Sequence, residues 1–345
     1  MAVSPTPEPT PPSKTPPADS SGWPGSPVAL HLQAWATRTK FPDAGRIAVA
    51  YSGGADSTAL LQAAAAQWPG RVTAIHVHHG LQAAADDFVR HCETACIAID
   101  VPLHVVHVEA RNASGESPED AARKARYAAL AGKALQLGTP LVALAQHADD
   151  QVETLLLALS RGAGVAGLAG MPVEFDRFDV RFVRPLLGLG AQAIRDELGA
   201  RGIGYIDDPT NTDLAYTRNK IRHRLLPVLA EVFPQYRDTF ARSARNMALA
   251  QETLAQAAIE LIATVGNPPN IVALQGLPRA SQGNLLRHWL KMQCGVTGSE
   301  AQMNELLDQI ADCTNRGKSI RIKVASGFVE RRGPLLAFSA ASPPI

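Results

Sequence analysis

Four runs rich in Val, Ile, Leu and Ala, at residues 46–52, 71–79, 102–110 and 139–147, alternate with three stretches of helical length and periodicity at 56–67, 83–99 and 117–138. Strands separated by helices of that length cannot close as hairpins. They need right-handed crossovers, which lay the strands parallel and cover both faces of the sheet. The expected fold class is α/β, a doubly wound and mostly parallel sheet. A short helix over 28–39 precedes the first run, and residues 1–27, dominated by Pro, Ser and Thr, read as a disordered tail with almost nothing to bury. Beyond residue 215 the alternation stops. From Tyr216 to Val265 the pattern is mostly helical with breaks at Pro227 and Pro234, more helix follows over 280–293 and 299–313, and 319–339 alternates like a small hairpin turning at Gly333-Pro334. The expected division is an α/β domain over 28–215 and a smaller, mainly helical domain over 216–345 that ends in a short β-hairpin.

A chain of 345 residues with 46% hydrophobic side chains can build both cores. Its net charge of +1 gives no global basic field, so a nucleic-acid partner has to be met by local clusters of Arg and Lys. The 4 cysteines, Cys92, Cys96, Cys294 and Cys313, form no C-x-x-C pair and read as reduced, buried thiols rather than a zinc or iron-sulfur site. No apolar stretch reaches the length of a membrane span, and the N-terminus lacks the pattern of a secretory signal. The expectation is a cytoplasmic protein without a membrane partner.

"SGGADS", Ser52 to Ser57, lies between the first run and the first crossover helix, the usual phosphate cradle of such a sheet. Gly53 and Gly54 permit close backbone approach, Ala55 and the residues after it open a helix whose free N–H groups face an anion, and Ser52 and Ser57 offer hydroxyl donors. It is neither a Walker A loop nor a G-x-G-x-x-G turn. Asp56 would be repelled by a polyphosphate unless a cation lay between them, which points to Mg²⁺. A glycine turn that merely redirects the chain is the bland alternative.

At these residues the sequence resembles the PP-loop family of ATP pyrophosphatases, whose mark is S-G-G-x-D-S after the first strand. "HVHHGLQ" (76–82), "SPEDAARKARY" (117–127), "AQHADDQVETLLLALSRGAGVAGLAGM" (145–171), "RPLL" (184–187) and "DDPTNTDLAYTRNKIRHRLLPVL" (207–229) match, in order, the tRNA(Ile)-lysidine synthetase branch of that family. His78 stands where that branch usually has an aspartate, and Gln146 where a second histidine or another residue stands.

Asp150 and Glu153 share a face in the first turn of the helix that follows the fourth run. On charge alone they complement the helix dipole; with the resemblance they become the pair that meets the amine of free L-lysine. That amine has a pKa near ~10.4 in water and must lose a proton before it attacks carbon, with Asp150 or Glu153 as the base. The resemblance gives Arg126 the amino-acid carboxylate, a task suited to a bidentate guanidinium. His76 and His78 point to one side of a strand, but without a cysteine or carboxylate at ligand spacing a hydrogen-bonding role outweighs a metal site. Arg218, Asn219, Arg222 and Arg224 lie in a basic segment that either solvates a helix start or tracks tRNA phosphates, and the resemblance favours tRNA.

The resemblance implies ATP and Mg²⁺ as cofactors and an isoleucine tRNA with a CAU anticodon as substrate. Its wobble cytidine is adenylated at O2 and then takes lysine at C2. Longer members carry a further C-terminal domain, for which a homodimer would compensate. Two alternatives remain open. A PP-loop tRNA thiolase would need paired cysteines, and a noncatalytic adenine-nucleotide-binding protein would need neither the Asp150/Glu153 pair nor the basic segment.

Overall fold

The computed structural model describes residues 23, 25–78, 85–108, 118–314 and 318–340. The body of the Pro-rich tail, the 79–82 part of the second strand-end motif and Ser117 lie outside them. The chain forms two compact units, the first ending at Ala244 and the second beginning at Arg245.

In the first unit α1 (Pro27–Thr39) leads into β1 (Ile47–Ala50), α2 (Ala55–Gln67), β2 (Val72–His78), α3 (Ala85–Ala98), β3 (Leu103–His107), α4 (Pro118–Gln136), β4 (Leu141–Ala143) and α5 (Ala148–Ser160). After them come α6 (Val165–Leu168), β5 (Glu174–Arg177), β6 (Val180–Val183), α7 (Ala191–Ala200), α8 (Thr217–Lys220), a π-turn over Ile221–Leu225, α9 (Leu226–Val232) and α10 (Tyr236–Val265), inside which the units divide. The six strands follow the order β3-β2-β1-β4-β6-β5, every neighbour parallel except the edge strand β5. This is the doubly wound sheet expected from the alternation.

Strand periodicity sorts the core. Ile47, Val49 and Tyr51 face one layer, with Leu32 and Trp35 of α1, Leu60 and Ala64 of α2, Cys92 and Cys96 of α3 and Ile194 and Leu198 of α7. Ala48 and Ile75 face the other, with Tyr127, Leu130 and Ala134 of α4 and Phe182 of β6. Both cysteines are buried free thiols whose pKa burial pushes up to about 12, as a packing role requires. Order begins before the expected tail end at residue 27: Trp23 is buried beneath the Arg201 guanidinium, and the Ser26 hydroxyl caps α1 by accepting from the Ala29 amide.

Two differences from the sequence expectation concern the segment after the sheet. Pro227 does not break the helix; it sits in the first turn of α9, where a missing N–H is harmless, directly after the π-turn. Residues 217–240 also belong to the first unit, since Ile221, Leu226 and Tyr236 share a buried cluster with Val152 of α5. The compact units therefore part at Ala244 rather than at residue 215.

The second unit adds α11 (Ile271–Gln275), α12 (Arg279–Cys294), α13 (Glu300–Ala311) and an antiparallel sheet of β7 (Arg321–Val324), β8 (Gly327–Arg332) and β9 (Leu335–Ala340). Leu285, Leu286 and Leu290 pack with Met303, Leu306 and Ile310 and with Val324, Val329 and Leu336 of the sheet. No helix among the described residues is long and apolar enough to cross a membrane.

Asp149 ties three elements of the first unit together. Its carboxylate accepts from the Ala191 amide at 2.8 Å, the Tyr236 hydroxyl at 2.9 Å and Arg237 Nε at 2.7 Å. Burial works against this charge, but those three donors outweigh it and hold the carboxyl below its ordinary range, while Tyr236 is pushed up to about 12 by burial and by Asp149. Asp149→Asn turns an N–H₂ towards these donors, with an expected loss of about 2–4 kcal/mol in urea unfolding at neutral pH. Because the folded pKa is depressed, the wild-type advantage is full above the unfolded carboxyl pKa near ~3.9 and fades as pH falls through the folded value. Unfolding curves of both proteins should thus converge in acid.

Candidate active site

From β1 the chain steps outward to β2 and β3, then returns to place β4 on the other side of β1. The connections leaving the carboxyl ends of β1 and β4 run in opposite directions and open a crevice between them, where sheets of this kind bind ligands. Here the crevice is a cleft of about 660 Å³. Ser52 to Ser57 without Gly53 line it from the β1 side, Gln146 and Asp150 from the β4 side, His76 and His78 from β2, and Arg126 from α4.

The β1 loop is fastened internally. Gly53 has φ +84°, its carbonyl accepts from the Ile206 amide at 2.9 Å, and a Cβ on it would stand 3.1 Å from Cys92 Sγ. The buried Ser57 hydroxyl donates to the Gly54 carbonyl at 3.1 Å and accepts from the Ser52 amide at 3.2 Å, with Ser52 Oγ 3.0 Å away. This corrects one expectation: Ser57 spends its proton on the loop. What faces a ligand is the N-terminus of α2, which has no side-chain cap, so its first N–H groups are available to an anion.

His147, which the sequence reading passed over, links the two sides. It caps α5, accepting from the Asp150 amide through Nδ1 at 3.4 Å while its own amide donates to Asp150 Oδ2 at 3.1 Å. Nε2 then lies 3.5 Å from both Asp56 Oδ2 and Asp150 Oδ2. Burial opposes a charge on this ring, but the hydrogen bond to Asp56 and the charges of Asp150, Asp56 and Asp149 outweigh it and raise its pKa. In either charge state an Nε2–H faces the carboxylates. The other oxygen of Asp56, Oδ1, is buried with no hydrogen-bond partner among the described residues. An orphaned carboxylate oxygen beside an anion cradle fits a hard cation bound by one carboxylate and phosphate oxygens.

Glu153 is corrected more strongly. It is 0% exposed and does not line the cleft. Its oxygens accept from Arg222 Nε at 2.7 Å and Nη2 at 3.2 Å, and Arg222 Nη2 also donates to Asp150 Oδ1 at 3.2 Å. Burial pushes the Glu153 carboxyl up and Arg222 pulls it back only in part, while the guanidinium is held more firmly protonated by its two carboxylates against its own burial. Asp150 is therefore the member of the expected pair that reaches the cleft. Arg222 is paired with protein carboxylates and, with its side chain 31% exposed, also lines the cleft. Asn219 is buried and donates from its amide to the Thr210 and Asp213 carbonyls at 2.8 Å each. Arg218 donates to Thr154 Oγ1 at 3.0 Å and is half-buried, which leaves Arg224 and Lys220 as the exposed cations of the segment.

His76 is bound through Nδ1 to the Tyr51 carbonyl at 2.9 Å, and burial lowers its pKa, so it is a neutral wall of the cleft. Among the described residues no three His, Cys, Asp or Glu side chains form a metal cluster. Arg184, also missed, is buried behind the cleft and donates to Gln146 Oε1, the Pro172 carbonyl and the Tyr127 hydroxyl.

Two family models match: the PP-loop domain over residues 29–229 and the TilS substrate binding domain over residues 270–333. The chain is 60% identical over 296 residues to the tRNA(Ile)-lysidine synthase of Polaromonas naphthalenivorans, covering 86% of this chain and 90% of that one. It is 43% identical over 277 residues to the tRNA(Ile)-lysidine synthase of Burkholderia pseudomallei, covering 78% of this chain and 56% of that longer protein. Among solved structures it is similar to the U34-tRNA thiolase NcsA from Methanococcus maripaludis, with TM-score 0.55 and 14% identity over 64% of this chain and 78% of that one. That likeness is one of fold alone.

The two loop glycines separate two roles. Gly53→Ala meets both positive φ and the Cys92 sulfur and should cost about 1–3 kcal/mol in thermal or urea unfolding. Gly54→Ala, with ordinary φ and its nearest neighbour 3.5 Å away, should cost under about 1 kcal/mol.

Proposed function

The chain belongs to the PP-loop family, in its tRNA(Ile)-lysidine synthase branch, and from that premise we propose that it joins free L-lysine to C2 of the wobble cytidine of a CAU-anticodon tRNA(Ile) in two ATP-driven steps. In the first, cytidine O2 attacks the α-phosphorus of ATP and pyrophosphate leaves. In the second, the ε-amine of lysine attacks C2 and the C2–O bond breaks, releasing AMP. Cytosine O2 is a poor leaving group; AMP attached through it is a good one.

The observation that carries this reading is the meeting, at one switch point, of an uncapped helix N-terminus with two carboxylates joined through a buried histidine. The α2 N–H groups are oriented to take phosphate oxygens before any reaction begins, so they need no reorganisation as charge develops. Asp56 is the residue that fits Mg²⁺, which when bound supplies charge neutralisation between the polyphosphate and the protein. His147 holds Asp56 and Asp150 at one distance from a shared N–H, fixing where a phosphate-side cation and an amine-side cation can lie. Asp150 is the base that reaches the cleft, and Arg126 the donor for the amino-acid carboxylate. Arg224 and Lys220, exposed on α8 and the π-turn, serve tRNA phosphates, with the TilS-like second unit as a further tRNA-binding part.

Pyrophosphate release from ATP and Mg²⁺ should require transcribed CAU tRNA(Ile), and labelled lysine should become acid-precipitable. Asp56→Ala should lower both by about 100-fold or more, the scale of losing an electrostatic group from such a site. ATP binding without either event would leave a nucleotide-binding module and overturn the ligase reading.

Arg224→Ala should reduce the slope of log tRNA affinity against log salt by about 1, as expected for one lost phosphate contact. Filter binding over a salt series reads this directly, and an unchanged slope would remove Arg224 from the interface.

A further inference from the structure

Gln146 stands on the cleft wall just after β4, and its side chain is oriented by a group that settles which end points where. Arg184 Nε donates to Gln146 Oε1 at 2.9 Å. A guanidinium has five donors and no acceptor, so only the amide oxygen can face it, and this argument is independent of how oxygen and nitrogen are assigned. Arg184 cannot swing away. It is 3% exposed, its Nη1 donates to the Pro172 carbonyl at 2.6 Å and its Nη2 to the Tyr127 hydroxyl at 3.4 Å, and its carbon lies 4.4 Å from the centre of the Phe175 ring. The amide N–H₂ is therefore turned the other way. No described residue accepts from it, and Gln146 itself lines the cleft.

Gln146 thus brings two neutral N–H donors to the cleft on the side where Asp150 also stands, and Arg126 of α4 lines the same cleft. A zwitterionic amino acid uses both kinds of group, its anionic carboxylate taking donors such as Gln146 and Arg126 and its ammonium groups taking a carboxylate such as Asp150.

We propose that Gln146, fixed by Arg184, is a specificity-determining residue that donates to the α-carboxylate of the amino-acid substrate alongside Arg126. This rests on the ligase reading for the identity of that amino acid as lysine. Charged acceptors gain more from such donors than neutral ones do, so the carboxylate is where the two N–H groups have most effect.

The test compares L-lysine with cadaverine, which keeps both amines and lacks the carboxylate, on wild type, Gln146→Leu and Gln146→Glu. Equilibrium dialysis of each labelled ligand in the presence of a nonhydrolysable ATP analogue gives affinity, and lysine incorporation into tRNA gives KM and kcat. Gln146→Leu should weaken lysine about 10-fold, through its dissociation constant and KM, with kcat and the KM for ATP within about two-fold. Gln146→Glu keeps an oxygen for Arg184, so the wall still folds, and should weaken lysine further by setting like charges together. Cadaverine affinity should fall in neither variant. Equal losses for cadaverine and lysine, a loss in kcat with KM unchanged, or no effect on lysine would each overturn the proposal. So would wild-type protein that fails to bind lysine. Wild-type protein that binds lysine through Gln146 but never incorporates it would instead sink the ligase reading and leave this assignment standing.

Discussion

The N-terminal half of α5, with its cap, concentrates charge that cannot be left unpaired. His147, Asp149 and Glu153 are buried, and Asp150 is 17% exposed at its side chain. The helix dipole favours anions there, but by no more than about 1–2 kcal/mol each, whereas an unpaired buried ion costs several. Each carboxylate therefore recruits a partner from another element. Asp149 takes the start of α7 and of α10, Glu153 and Asp150 take Arg222 from the π-turn, and Asp150 shares His147 with Asp56 of α2. Satisfying one helix start folds the segment after the sheet back against it, which is why the compact units part inside α10 and not where strand-helix alternation ends.

The sheet and its crossovers were legible because strand and helix periods differ so clearly, and the β1 loop because glycines between a strand and a helix have few other uses. The β5–β6 hairpin was not. Glu174–Arg177 is short and charged, and its turn puts Phe178 and Asp179, rather than Asn or Gly, at φ 53° and 59°. In the site, Asp56 and Asp150 could be read from position, whereas His147 looks like any polar residue before a helix. Glu153 and Arg222 are 69 residues apart, so in sequence the carboxylate reads as open to substrate and the guanidinium as open to RNA, whereas in the fold each has the other.

Local backbone geometry decides which cations of 218–224 turn inward. Asn219 anchors this stretch to the Thr210 and Asp213 carbonyls, and Ile221 enters the cluster with Val152. With those two residues facing in, the π-turn places Arg222 over Glu153 and Asp150 while Lys220 and Arg224 remain exposed. The wider turn also delivers the chain to Pro227 at the start of α9, where no amide N–H is required.

Internal pairing sets the terms on which anything charged enters the cleft. A cation arriving at Asp150 meets a carboxylate already bonded to Arg222 and facing His147, so its net gain is the difference between two pairings and not the full attraction of a bare ion. Weak competition from surface cations follows, because a ligand must offer more than charge to profit from the exchange. What it can add is an anionic end for the donor wall of Arg126 and Gln146, at a point where the protein supplies no carboxylate of its own to the Gln146 amide. On the proposed reading, selectivity comes from satisfying the carboxylate and the amine together. An amine alone competes against Arg222 and His147 without compensation, whereas a zwitterion would gain at Gln146 and Arg126 what it forgoes at Asp150.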